Sequence, residues 1–201
     1  MRDYIYLWRD TSANRLVASG IEFQDIAAEL AASTAGVFLL SHGHEDVVTG
    51  PGGLDVVYAH EISALASDAI ESFGDFSWAD CRCGSHVNDL PSISAPDVAA
   101  LLYFKHEGKP LDGARLESID NRFLVNAHDD GWRWFVYAAD WSHVEALIRP
   151  LIAEFLRLGE IGAVLSSLRE GQTAWLLDAR GGIEVEGTSD IDRLMNEGLI
   201  G

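Results

Sequence analysis

Basic residues are scarce in this 201-residue chain, which contains 14 Lys and Arg against 32 Asp and Glu. Only two of the bases are lysines, Lys105 and Lys109. The formal net charge of -18 repels both the phosphate backbone of nucleic acids and anionic membrane surfaces. We therefore expect neither a nucleic acid nor a membrane among the partners of this protein.

Cysteines and long apolar runs are also lacking. Cys81 and Cys83 are separated by one residue, a spacing that suits neither a relaxed disulfide nor a paired-cysteine zinc site. No apolar run approaches the roughly 18 to 20 residues of a membrane span, and charges at positions 2, 3, 9 and 10 argue against a signal peptide. These features predict a cytoplasmic protein without a disulfide framework.

The overall composition is that of an ordinary globular protein, with 48% hydrophobic and 23% charged residues. A chain of this length forms one domain or two small ones. Residues 84–95 are rich in Gly, Asn, Pro and Ser, so they are the one candidate for an internal linker. We predict a single domain over residues 1–201, with this segment as the place where it would divide.

Apolar spacing in the first half of the chain predicts alternating strands and helices. The predicted elements are a strand at 4–8, a helix from Phe23 to Leu30, a buried strand at 37–40, a strand at 54–58, a helix at 60–73 and an edge strand at 76–78.

Hairpins dominate the second half. Asp-Gly within residues 128–131 supplies the positive φ angles of a tight reversal, so residues 122–138 predict an antiparallel hairpin. The strongest helical pattern covers 142–157, where Pro150 should kink or divide the helix near residues 148–149. The other predicted elements are a helix starting at Ser94, a helix at 161–168, a hairpin of 173–177 and 183–186, and a helix at 189–197. Together they predict an α+β fold, with helices packed on a mixed or mainly antiparallel sheet.

One short motif follows the predicted strand at 37–40. His42, His44 and Asp46 have the spacing His-x-His-x-Asp, and alternate residues of an extended chain point to one side, where two imidazoles can converge on one metal ion. The motif resembles the first metal motif of the metallo-β-lactamase superfamily. That resemblance implies a zinc or other divalent-metal site and hydrolase activity, although Val47 stands where the family has a further histidine ligand.

A second candidate lies at the tip of the predicted 122–138 hairpin. Asp129 and Asp130 are typical turn residues that also offer negative charge to a partner. Trp132 and Trp134 lie two residues apart, so on a strand both rings share one face. That face belongs to the core if it points inward, and forms an aromatic partner-binding anchor if it points outward.

No catalytic set is completed by these residues alone. Acidic, lysine-poor composition is typical of proteins that bind basic surfaces, and it resembles that of bacterial immunity proteins and other toxin inhibitors. We therefore predict a non-catalytic binding protein for a basic partner protein, with no cofactor. The alternative is a metal-dependent hydrolase that uses His42, His44 and Asp46. The sequence leaves the oligomeric state open.

Overall fold

The structure is a computed structural model, and it describes residues 4–41, 54–64, 76–82, 93–128, 133–171 and 173–185. These residues contain nine strands and four helices of more than ten residues. The strands are β1 Tyr4–Asp10, β2 Arg15–Ser19, β3 Gly36–Ser41, β4 Leu54–Tyr58, β5 Phe76–Cys81, β6 Phe123–His128, β7 Arg133–Ala138, β8 Ala174–Asp178 and β9 Gly181–Val185. The helices are α1 Phe23–Ser33, α2 Ala95–Glu107, α3 Trp141–Ala153 and α4 Leu158–Glu170.

All nine strands join one antiparallel sheet in the order β4-β3-β5-β6-β7-β2-β1-β8-β9. This confirms the α+β prediction and, of the two sheet types that it left open, the mainly antiparallel one. The predicted edge strand at 76–78 is wrong in position, because β5 lies between β3 and β6. Its neighbouring residues Trp78 and Ala79 are both fully buried on opposite faces, as in an interior strand.

The two faces of the sheet pack against different helices. We call the face under α1, α3 and α4 the first face; its cluster includes Trp78, Trp134 and Val136. The second face packs against α2, where Leu101 and Phe104 meet β3, β5, β6 and β7. Strand β5 precedes the candidate linker at 84–95 and β6 follows it, after α2. The two strands pair directly, with Ser77 opposite Asn126. None of the helices in the described ranges is long and apolar enough to cross a membrane.

Strand β2 was not predicted from the sequence. It forms a hairpin with β1 through a turn in which Asn14 adopts a positive φ of 48°. Gly20 ends β2 with a φ of +74°, and a Cβ atom there would lie 2.4 Å from the backbone oxygen of Tyr4. Only glycine fits this close approach of the chain leaving β2 to the start of β1.

Helix α3 confirms the strongest helical prediction but ends earlier. Val144, Leu147 and Leu151 are buried, as the helical spacing predicts, whereas Phe155, also predicted to be buried in this helix, lies beyond its end and is half-buried. Pro150 does not divide the helix, which continues to Ala153. Pro150 is exposed, so water can bond the carbonyl that loses its helical donor. A division at 148–149 is therefore wrong, while a kink there stays a prediction; the helix ends instead at Ala153, before α4 begins.

Candidate functional site

Two chain connections open from the same end of the sheet. Residues 42–53 join β3 to β4, and residues 129–132 join β6 to β7. The register places the ends of β3 and β6 at the same end of the sheet, because Leu40 pairs with Ser77 and Ser77 pairs with Asn126, just before β6 ends. Only β5 separates β3 from β6, so the two strand ends are about 10 Å apart.

The sequence of these connections carries a net negative charge. Residues 42–53 contain Glu45 and Asp46, and residues 129–132 contain Asp129 and Asp130, whereas neither connection contains a lysine or an arginine. Asp75 directly precedes β5 between them. We call the ends of β3, β5 and β6, with these attached acidic residues, the acidic end of the sheet.

Of the site residues predicted from the sequence, the structure describes only Trp134. His42, His44, Asp46, Asp129, Asp130 and Trp132 all lie outside the described residues, and both predicted clusters attach to the acidic end. Trp134 lies inward on the first face, only 4% exposed, with its ring centroid 6.2 Å from that of Trp78. A side chain so deeply buried offers almost no surface to a partner, so Trp134 takes the core alternative.

The described residues show no preformed metal site. Groups of three or more His, Cys, Asp and Glu side chains that could hold an ion do not occur in the described ranges. The His-x-His-x-Asp hypothesis therefore depends on residues 42–46, which lie outside them.

Negative charge is less in excess among the described residues than in the remaining segments. The described residues hold 19 Asp and Glu with 12 Lys and Arg, while the remaining segments hold 13 Asp and Glu with two Arg. Five of the described acids form arginine salt bridges: Asp10 with Arg15, Asp80 with Arg122, Asp120 with Arg82 and Arg115, Glu145 with Arg169, and Asp178 with Arg180. The excess negative charge is thus concentrated in the segments outside the described residues.

A separate feature is a cavity of about 740 Å³ on the second face, which extends from the β1–β2 turn to Asn126. Its volume lies in the range of small-molecule sites. The β1–β2 turn, the end of α2 and the strands β6 and β7 enclose it. It is lined by Ala13, Asn14, Arg15, His106, Glu107, Gly108, Lys109, Pro110, Gly113, Ala114, Asn126, Phe135 and Tyr137.

Arg15 is held in a fixed orientation at one wall of this cavity. Its Nε donates to Asp10 Oδ2 at 3.0 Å, its Nη1 donates to the Tyr137 hydroxyl at 3.1 Å, and its guanidinium lies 4.2 Å from the centroid of the Phe135 ring. Cation–π stacking and two directed hydrogen bonds leave little freedom to the side chain.

The carboxylate that orients Arg15 is itself stabilised in its charged form. Burial opposes ionisation of Asp10, but hydrogen bonds from Ser12, the Ala13 amide and Arg15 hold its pKa below the ordinary value. Because this pKa is lowered in the folded state, the stabilisation is complete at neutral pH and is lost as the pH falls through the folded-state pKa, below 3.8. Arg15 is therefore held in place throughout the physiological pH range.

The opposite wall is the C-terminal end of α2. Gly108 ends the helix with a φ of 65°, and a Cβ atom there would lie 3.3 Å from Asn126 Nδ2. Asn126 is 6% exposed and donates to Ser77 Oγ at 2.8 Å. His106 and Lys109 are exposed at this wall and form no ion pair with any described residue. No local pattern in the sequence indicates this site, because its walls come from three distant parts of the chain.

Comparisons of the chain with protein-family models, with curated proteins and with solved structures found no match.

Proposed function

We propose that this protein is a non-catalytic, immunity- or inhibitor-like binding protein that uses the acidic end of its sheet to bind a basic partner protein. The observation that supports this proposal is the convergence of β3, β5 and β6 on one end, where the attached connections carry acids and no Lys or Arg. Five of the 13 acids outside the described residues, Glu45, Asp46, Asp75, Asp129 and Asp130, are attached to this end of the sheet.

A concentration of negative charge at one end of a protein favours binding of a positively charged partner. A concentrated negative field accelerates association with a positively charged partner and rejects partners of the same sign. Carboxylates can also occupy positions on a basic surface that would otherwise bind phosphate groups. Both effects act mainly through long-range attraction, so the complex should weaken as salt screens the charges.

Neutralising the acidic end should weaken the complex far more than neutralising other acids. The test variant changes four charges, with Glu45→Gln, Asp46→Asn, Asp129→Asn and Asp130→Asn. The matched control changes four exposed acids elsewhere, with Glu29→Gln, Glu117→Gln, Glu170→Gln and Glu184→Gln. Each exposed charge pair contributes about 0.2–1 kcal/mol, so the loss of four should lower affinity by roughly fourfold to 700-fold.

The measurement is the affinity for a partner captured by the unaltered protein from its source cell, at low salt and at roughly 0.5 M salt. We expect the test variant to lose binding and the control variant to stay within about threefold of the unaltered protein. Equal losses in both variants, or an affinity that ignores salt, would contradict the assignment of binding to the acidic end.

The hydrolase hypothesis makes a different prediction for the same protein. Protein purified without chelator would contain near-stoichiometric zinc, manganese or iron, and the double variant His42→Ala with His44→Ala would lose it. The binding proposal expects the four-charge variant to lose its partner whatever the metal content. Elemental analysis therefore tests the hydrolase hypothesis, which the absence of metal would contradict, whereas the charge variants test the binding proposal.

A further inference from the structure

We propose that the cavity between the β1–β2 turn and the end of α2 binds a small organic anion, with its carboxylate or phosphate ester group directed at Arg15 and Tyr137. This site lies on the second face and does not depend on the proposed function of the acidic end. Its volume of about 740 Å³ accommodates a ligand with an apolar moiety beside the charged group.

Three hydrogen-bond donor groups at the cavity have no acceptor among the described residues. Arg15 uses Nε and Nη1 for Asp10 and Tyr137, and its Nη2 bonds to none of the described residues. The Tyr137 hydroxyl accepts from Arg15, so its own hydrogen remains available to donate. Lys109 adds an ammonium group at the facing wall. An acceptor-rich anion would satisfy all three.

The orientation of Arg15 favours a directional anion contact. Because Asp10, Tyr137 and Phe135 already hold the guanidinium, binding would cost little side-chain entropy. Planar arginine donors match the geometry of carboxylate and phosphate oxygens. The remaining lining includes Phe135, Pro110 and Ala114, which give an apolar moiety a surface to contact.

Two features of the cavity disfavour an anion, and they allow the charge of the ligand to be tested. Glu107 lines the same wall as Lys109, and the C-terminal end of α2 carries partial negative charge. If the ligand is an anion, removing the Glu107 charge should strengthen binding and removing the Lys109 charge should weaken it. A cationic ligand would reverse both effects.

The probes are benzoate and phenyl phosphate, with benzyl alcohol as the neutral analogue and benzylamine as the cationic one. Each is titrated into the full ¹⁵N-labelled chain and followed by NMR. We expect benzoate, phenyl phosphate or both to give saturable shifts with a Kd on the order of 0.1–1 mM, confined to the signals of cavity residues such as Gly108, Gly113 and Ala114. The stronger of the two identifies carboxylate or phosphate ester as the preferred group.

Variants assign the binding to this cavity. Lys109→Ala should weaken the probe at least threefold, and Glu107→Gln should strengthen it. Lys105→Ala is the matched control, because it removes an equal charge from the same helix end without lining the cavity. Ala13→Trp places a large side chain at an exposed lining position and should block the site without disturbing the core.

Several results would overturn the proposal. One is the absence of saturable shifts with both anions in the folded, unaltered chain. Another is preferential binding of benzylamine, or weaker anion binding in Glu107→Gln. Equal binding by the unaltered chain and by Ala13→Trp would show that the anions bind elsewhere.

Discussion

Replacing Asp80 with Asn should lower the free energy of unfolding by about 3–5 kcal/mol, because it breaks a buried ion pair by removing one partner. Asp80 lies in β5 and is fully buried. Its Oδ1 accepts from the backbone amides of Arg122 and Phe123, each at 2.7 Å, and its Oδ2 accepts from Arg122 Nε at 2.8 Å. An Asn side chain keeps only one acceptor oxygen, so either the amides or the guanidinium would face an NH₂ group.

The matched control is Asp120→Asn, the same change in an exposed ion pair. Asp120 pairs with Arg82 and Arg115, whose side chains are 40% and 64% exposed, so the expected loss is below about 1 kcal/mol. Its φ of 46° suits Asn as well as Asp. Urea unfolding measures both variants. A loss for Asp80→Asn no larger than that of the control would contradict the importance of the buried pair.

Replacing Trp78 with Ala should be similarly destabilising, by about 3–5 kcal/mol. Trp78 is fully buried on the first face, and its ring lies edge-to-face with Phe23, Phe123 and Trp134 at centroid distances of 5.9, 6.4 and 6.2 Å. Alanine would leave a cavity among three aromatic rings and remove their favourable edge contacts. Urea unfolding followed by circular dichroism measures the loss without relying on tryptophan fluorescence.

Two further variants separate the effect of volume from that of the indole nitrogen. Trp78 Nε1 has no hydrogen-bond acceptor among the described residues, so Trp78→Phe removes no bond and should cost much less than Trp78→Ala. Trp8→Ala changes a half-buried tryptophan beside a small cluster and should also cost less. A loss for Trp78→Ala no larger than that for Trp8→Ala would contradict the importance of Trp78 in the core of the first face.

The fold could be predicted from the sequence where local signals were strong. The Asp-Gly reversal correctly predicts the β6–β7 hairpin, and Ser94 and Gly108 correctly mark the two ends of α2. The sequence did not reveal β2, because the β1–β2 turn uses Asn14 in a left-handed conformation without a strong turn dipeptide. It also misplaced β5, since burial on both faces depends on neighbours that a short apolar run does not identify.

The sites were predictable only in part, for a physical reason. Local sequence identified the acidic connections, but only the strand register shows that residues 42–53 and 129–132 leave the same end of the sheet. The cavity depends on contacts between residues even farther apart in the sequence. Arg15 and Tyr137 are 122 positions apart and meet only when β2 pairs with β7. Such tertiary contacts have no local signature.

Amide hydrogen exchange, measured on the unaltered protein alone and in complex with its captured partner, tests the central claim most directly. The acidic-end account predicts that binding slows exchange in peptides covering residues 42–53 and 129–132 and the adjoining ends of β3 and β6. Peptides from α3 and α4 should exchange at unchanged rates. Protection confined to those helices, with no change at the acidic end, would contradict the account.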